Sequence, residues 1–481
     1  MKSPKSKTRR PSGKTPIPAR CAGWMLRHPA ITTMPAVLGT STIELGAVTT
    51  GSAVAGLVGA GLSWCYLHKD SYMTVASPRI RAVRRRWTRY IGKSWKESLE
   101  HCNLVGQDRR TGELLVPRLL RVAAPTPSID VLKVKFVKGQ SLRVFQDVQE
   151  ELAAALGADV IAIEKGSKPR ILTITLVHGN PFDDVIPPAD IPGEVDEVDL
   201  KAIELGDTEQ GEIWAEPLLG HHWLISGATG SGKGSLLWNP LRAMGPMIRE
   251  QIARIWMIDP KGGMETERGK PLFYRHATSA DEDVEYDDGT GPDDVDPMLA
   301  VLLEFRDRMR ERQAYLKAQK KRKFTPSAET PFEVLMIDEL AMLTALGGSR
   351  STISQVNRIL AEILTQGRAA GFAVVAYVQE PTKDIVPVRD LFTRRISLRT
   401  GSASYVDMVL GEDARLRGAL ADEIPEEGCE GIGYRTSEKS RTPIRVRAGY
   451  STDDDIDELV RLCTPHFDDD EPGGVLVPFA A

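Results

Sequence analysis

Cysteine is scarce in this chain. Cys21, Cys65, Cys102, Cys429 and Cys463 stand far apart, with no C-x-x-C pair and no histidine cluster beside them. That scatter argues against a disulfide framework and against a zinc site. No repeat period is visible, so a solenoid or propeller is set aside. No small-residue cleavage site leads into an export-type domain, which argues against a cleaved signal peptide. The net charge is small, formally -4, but it hides an asymmetry: residues 1 to 100 hold 17 Lys/Arg against 4 Asp/Glu, leaving the remainder near -17. The basic charge is local and suits a membrane surface, a nucleic acid or a solvated tail. At 481 residues the chain is too long for one compact core, and two or three folded units are expected.

Residues 1–28 form a basic tail that cannot bury enough apolar surface to order itself. Within 29–68, Leu45 to Leu67 is uncharged and long enough to cross a hydrocarbon core, while Pro29 to Ile43 is shorter and contains Pro35. Basic residues precede this region (Arg10, Arg20, Arg27) and follow it (Lys69, Arg79, Arg81, Arg84 to Arg86), which favours a two-helix transmembrane hairpin over a single span. Residues 69–110 read as a basic amphipathic linker with Trp87, Tyr90 and Trp95, interfacial or ordinary. Strand-like runs at Val131 to Val137, Val160 to Glu164 and Ile171 to Leu176, around a helical stretch from Leu142 to Leu156, predict a small α/β domain over 111–195. From 200 to 450 short apolar strands alternate with long helices, the pattern of a parallel sheet with crossover helices. Its strands are placed at His222 to Ser226, Ala253 to Asp259, Phe332 to Asp338, Phe372 to Val378 and Arg394 to Leu398, and the apolar stripe Met298, Leu302, Phe305, Met309 and Leu316 marks a core-facing helix. Residues 451–481 read as an acidic C-terminal tail.

The chemistry gathers after the strand ends. His221 to Ser226 runs into Gly227, Ala228, Thr229, Gly230, Ser231, Gly232, Lys233, Gly234 and Ser235, a strand, glycine-rich loop and helix start in the order of a phosphate-binding loop. Glycines let backbone N–H groups turn toward phosphate oxygens, the helix dipole favours the anion, and Lys233 can reach the β and γ phosphates of ATP. The residue after the lysine is normally Ser or Thr, whose hydroxyl binds Mg2+; here it is Gly234, and Ser235 is the nearest substitute. A one-residue shift turns a side chain about 100° around the helix, so Ser235 or water takes that place. Phe332 to Glu339 is an apolar strand ending in two carboxylates: Asp338 suits Mg2+, and Glu339 suits a general base for the attacking water. Alone, such a run is commonly a strand entering a turn. Gln379 ends the next strand, placed either to sense the γ-phosphate or simply to close the strand.

In order, Gly227 to Lys233, Ile258-Asp-Pro-Lys261, Ile337-Asp-Glu339, Arg368-Ala-Ala-Gly-Phe372 and Gln379-Glu-Pro381 resemble the motor motifs of FtsK/SpoIIIE DNA translocases. The Gly-Lys-Gly-Ser form at 232 to 235 and Asp259 to Glu265 look like the Tra conjugative transfer proteins of actinobacterial plasmids and integrative elements. Glu380 stands where the family commonly has Arg. The resemblance implies a RecA-like ATPase using ATP and Mg2+, assembled as a hexameric ring on double-stranded DNA. The basic flanks on both sides of the apolar region predict a cell-membrane location, multi-pass, with the ATPase domain in the cytoplasm, and the resemblance places Arg368 where the family has an arginine acting on the neighbouring subunit's ATP. Candidate DNA contacts are Lys261 to Lys270, Gly347 to Arg350 and Lys320 to Lys323, although such segments are more often solvated basic surface than pore contacts, with the acidic loop Asp281 to Asp296 turned away. About 18 residues follow Cys463, too few for the family's sequence-reading winged helix, so the chain is expected to end at the motor. A protein-export motor of the same family and a nucleotide-binding membrane switch are the other readings.

Overall fold

In the computed structural model, residues 42–465 are described, apart from 45, 109–110, 167, 181, 183, 288–291, 322 and 438–439. The chain divides into two compact units, 1–80 and 81–481. In the first, α1 (Ala47–Leu67) carries no charged residue. Its 21 residues would reach about 31 Å at 1.5 Å per residue. Gly51, Gly56, Gly59 and Gly61, with Thr49, Thr50, Ser52 and Ser63, dilute its apolar content, however. Among the described residues no helix is long and apolar enough to cross a membrane. The expected transmembrane hairpin is therefore not found among them, and its first arm lies outside the described residues up to residue 41. Two further helices follow in chain order, α2 (Ser77–Thr88) and α3 (Lys93–His101).

Among its described residues the second unit holds two main sheets, besides two two-stranded antiparallel ribbons, Gly106–Gln107 with Leu114–Leu115 and Val284–Asp287 with Pro292–Val295. The smaller is fully antiparallel, in the order β1 (Arg118–Ala123), β2 (Ile129–Lys135), β4 (Ile171–Val177), β3 (Val160–Lys165). The expected single helical stretch is two helices, α4 (Leu142–Gln146) and α5 (Gln149–Leu156), and these pack Phe145, Leu152 and Leu156 into the sheet's core.

The larger sheet has ten strands. Six are parallel, in the order β9 (Phe273–Thr278), β8 (Ala253–Asp259), β10 (Phe332–Ile337), β11 (Phe372–Val378), β7 (Trp223–Ser226), β12 (Arg394–Leu398). Four antiparallel strands extend it: β13 (Ile432–Ser437), β14 (Ser440–Ala448), β5 (Ile203–Thr208) and β6 (Ile213–Glu216). The parallel strands read as continuous apolar runs because both faces are covered. Val334, Met336, Val375 and Tyr377 face one core with helices α6 (Lys233–Ala243) and α7 (Gly245–Arg249). Leu335, Ile337, Val374 and Ala376 face the other core with α8 (Pro297–Ala318) and α9 (Arg350–Gln366). Leu302, Phe305, Met309 and Leu316 of α8 are buried there as their spacing predicts. One short helix, α10 (Ala403–Leu410), follows β12. Within the segment read as an acidic tail the chain forms α11 (Asp453–Cys463), started by a Thr452/Asp455 capping box. Its Ile456, Leu459 and Cys463 are buried, so much of this acidic run is the solvent face of a packed helix.

Candidate active site

The cleft sits beyond the carboxyl ends of the parallel strands, where open α/β sheets bind ligands. Every residue of β7 is buried, and the loop it feeds is stitched to its neighbours: Gly227 N donates to Val378 O (3.0 Å) and Ala228 N to Arg399 O (2.7 Å). Gly230 (φ +71°) and Gly232 (φ +91°) occupy the left-handed region. A Cβ on Gly232 would lie 2.3 Å from Gly431 N, and one on Gly227 would lie 2.4 Å from Ser231 Oγ. Only glycine fits this loop without moving the backbone beside it. Helix α6 begins at Lys233, so its positive end faces the space the loop encloses. Lys233 Nζ donates to Gly227 O (2.7 Å) and Ala228 O (2.9 Å), folded over the loop. Burial, offset in part by Glu339, lowers its pKa to about 8.

The sheet order places β11 between the loop strand β7 and the carboxylate strand β10. Gln379, at the end of β11, therefore stands between the two halves of the site. Its Oε1 accepts from Thr229 Oγ1 (3.2 Å), and its backbone N donates to Glu339 Oε1 (3.4 Å). Asp338 and Glu339 are 3% and 5% exposed. Lys261 Nζ donates to Asp338 Oδ2 at 2.8 Å and lies 3.9 Å from Glu339 Oε2, a buried oxygen with no hydrogen-bond partner among the described residues. Burial pushes the Glu339 carboxyl up, against the opposing pull of Lys261. Burial alone would lower the Lys261 pKa, but the hydrogen bond to Asp338 and the surrounding carboxylates raise it.

A cleft of about 580 Å³ is lined by Thr229, Gly230, Gly232, Lys233, Gly234, Ser235, Lys261, Glu265, Asp338 and Gln379, with the Glu339 carboxylate buried behind it. Trp238 and Tyr450 add aromatic surface to the same cleft. Of the remaining loop residues, Ser231 is buried and its backbone O accepts from Gly431 N at 2.9 Å. Arg368 is not part of this cleft. It is exposed, on the turn Gly367–Ala370 before β11. The seven residues of β11, about 23 Å at 3.3 Å each, separate that turn from Gln379.

Three participants escaped the sequence reading. Lys261 was grouped with DNA-contact candidates, yet it is pinned to Asp338, and Arg268 of the same loop pairs with Asp453 and Asp457. The loop is a wall of the cleft. Arg399, whose Nη2 donates to Thr229 O at 2.7 Å, comes from 170 residues along the chain and carries no local signal. Glu265 was visible as part of the Asp-Pro-Lys motif but had no assigned role.

A phosphate loop and a buried carboxylate pair on one parallel sheet, with a polar strand end between them, define the class of P-loop α/β nucleotide-binding proteins. The chain is 24% identical over 286 residues to the DNA translocase FtsK of Streptomyces avermitilis, a match covering 55% of this chain and 29% of that one. It is also 24% identical over 280 residues to the DNA translocase SpoIIIE of Bacillus subtilis, covering 54% of this chain and 32% of that one. The resemblance to FtsK/SpoIIIE translocases read from the motifs is thus found in whole-sequence comparison, and the match spans about a third of each relative. No family model matches. Among solved structures, the pCW3 conjugation coupling protein TcpA aligns with TM-score 0.47 and 19% identity, covering 77% of this chain and 98% of that one. The cytoplasmic domain of the Thermomonospora curvata Type VII secretion ATPase EccC aligns with TM-score 0.42 and 18% identity, covering 62% and 35%.

Proposed function

We propose that the chain hydrolyses ATP and uses the energy to move double-stranded DNA, in the service of conjugative transfer of a plasmid or integrative element. The observation that carries the ATPase reading is Gln379 bridging Thr229 of the phosphate loop to Glu339 of the carboxylate pair. In this reading Lys233 leaves its two loop carbonyls to hold the β and γ phosphates, and the N–H groups of the glycine loop hold the rest. Glu339 accepts the proton of the attacking water, and its burial-raised pKa brings it nearer the operating pH. Gln379 links phosphate occupancy to the position of Glu339. Mg2+ would neutralise charge on the phosphates; the donor set fits, because Asp338 and Ser235 line the same cleft beside the lysine.

Translocation further requires grip and assembly. Gly347 to Arg350, at the start of α9, is the candidate for a salt-sensitive phosphate grip. Arg368 lies at the far end of β11, too distant to serve its own site, which supports an arginine acting across a subunit boundary in a hexameric ring of RecA-like domains. Membrane attachment is part of the proposal, supported by the uncharged α1 and the basic run Arg79 to Arg89. Flotation with vesicles containing anionic lipid tests the attachment, and failure to float removes it. Displacement of a triplex-forming strand from linear duplex DNA tests the motor. ATP-dependent displacement is expected, and none with an active ATPase would remove translocation.

A further inference from the structure

In the usual phosphate loop the hydroxyl that follows the lysine helps hold the nucleotide's divalent cation. Here that residue is Gly234. We infer that Glu265 supplies the missing ligand, its carboxylate standing in for the absent hydroxyl; the inference rests on the ATP-binding reading above. A Cβ built at position 234 would meet one neighbour within 4 Å, Glu265 Oε2 at 3.9 Å. The carboxylate thus faces the space a Ser or Thr side chain would enter. Glu265 shares the cleft with Lys233, Ser235 and Asp338.

Its placement is built into the loop after β8. Gly262 (φ +88°) and Gly263 (φ +85°) turn the chain back, and Thr266 anchors the return through its Oγ1, which donates to Asp259 Oδ2 at 2.9 Å. Thr266 is fully buried, so the residue before it is held at a fixed place on the cleft wall. A second observation shows that this end of the cleft accommodates positive charge: the Lys261 ammonium lies 2.8 Å from Asp338 Oδ2 and 3.9 Å from Glu339 Oε2. Among the described residues no three His, Cys, Asp or Glu side chains form a cage able to hold a metal alone. A cation carried on nucleotide phosphates needs only one or two protein carboxylates, so Asp338 and Glu265 suffice.

The test compares ATPγS affinity of the full chain in Mg2+ and in EDTA, with Mn2+ resonance spectra of the ternary complex as a direct view of the cation. Wild type is expected to bind more tightly in Mg2+. Glu265→Gln is expected to lose about tenfold of that gain without lower affinity in EDTA, and Gly234→Ser added to Glu265→Gln is expected to restore it by returning the hydroxyl. The Mn2+ signal should change in the single variant. A full Mg2+ gain with an unchanged Mn2+ spectrum in Glu265→Gln overturns the inference, as does an equal loss in Mg2+ and EDTA, which would mean that the residue only shapes the cleft. If wild type binds ATPγS in neither condition, the ATP reading itself fails and this inference falls with it.

Discussion

Lys233 and Glu339 carry opposite demands, because burial disfavours the charged form of each while each needs its charge to act. Lys233→Ala is expected to abolish ATPγS binding, measured by calorimetry. Glu339→Gln is expected to bind normally but to hydrolyse at least about a hundredfold more slowly, the usual scale of losing a general base. Wild-type turnover in the Gln variant would remove that role. A pH prediction follows from the Lys233 value near 8. Below it the free ammonium is charged and ready for phosphate; above it, binding must first restore a proton, so affinity should fall as pH rises from about 8 to 9.5, by up to about tenfold per unit. Flat affinity across that range would mean that Lys233 does not hold the phosphates.

At the scale of elements, the carboxylate strand β10 is fixed by its other end. Glu333 is fully buried and accepts from Trp256 Nε1 (2.7 Å), Arg308 Nε (3.0 Å) and Arg312 Nη2 (3.3 Å), tying β10 to β8 and α8. Glu333→Ala would leave two buried guanidinium groups without this carboxylate and should destabilise the fold by about 3–5 kcal/mol in denaturant unfolding. A cost below about 1 kcal/mol would show that the network is relaxed by water. The parallel strands were legible almost to the residue: Ala253–Asp259, Phe372–Val378 and Arg394–Leu398 are where their apolar runs place them. The antiparallel extension was not, because its two hairpins are joined by a pairing of residues over two hundred positions apart, such as Ala448 and Gly206. Nor was the role of Gly431, whose backbone closes against Gly232. The loop glycines, the carboxylate pair and Gln379 could be read because they sit in contiguous motifs. Lys261 on Asp338, Arg399 on the loop and Glu265 opposite Gly234 required the fold to bring them in.

At the scale of the whole molecule, the proposed motor works only if its subunits complete one another. Arg368→Ala should retain nucleotide binding and lose turnover, since its guanidinium would stabilise charge on a neighbour's transferred phosphoryl group. Mixing Arg368→Ala with Lys233→Ala subunits, each inactive alone, should restore some hydrolysis. Rings shown to be mixed that stay inactive at every ratio would remove the trans role, once strict all-subunit coordination is excluded. The central claim, a motor on duplex DNA, is tested most directly by the ATP hydrolysis rate of the full chain with and without long double-stranded DNA at low salt. The account predicts stimulation of roughly tenfold or more, lost as salt rises because the grip is on phosphates; a rate indifferent to DNA at every salt concentration would contradict it.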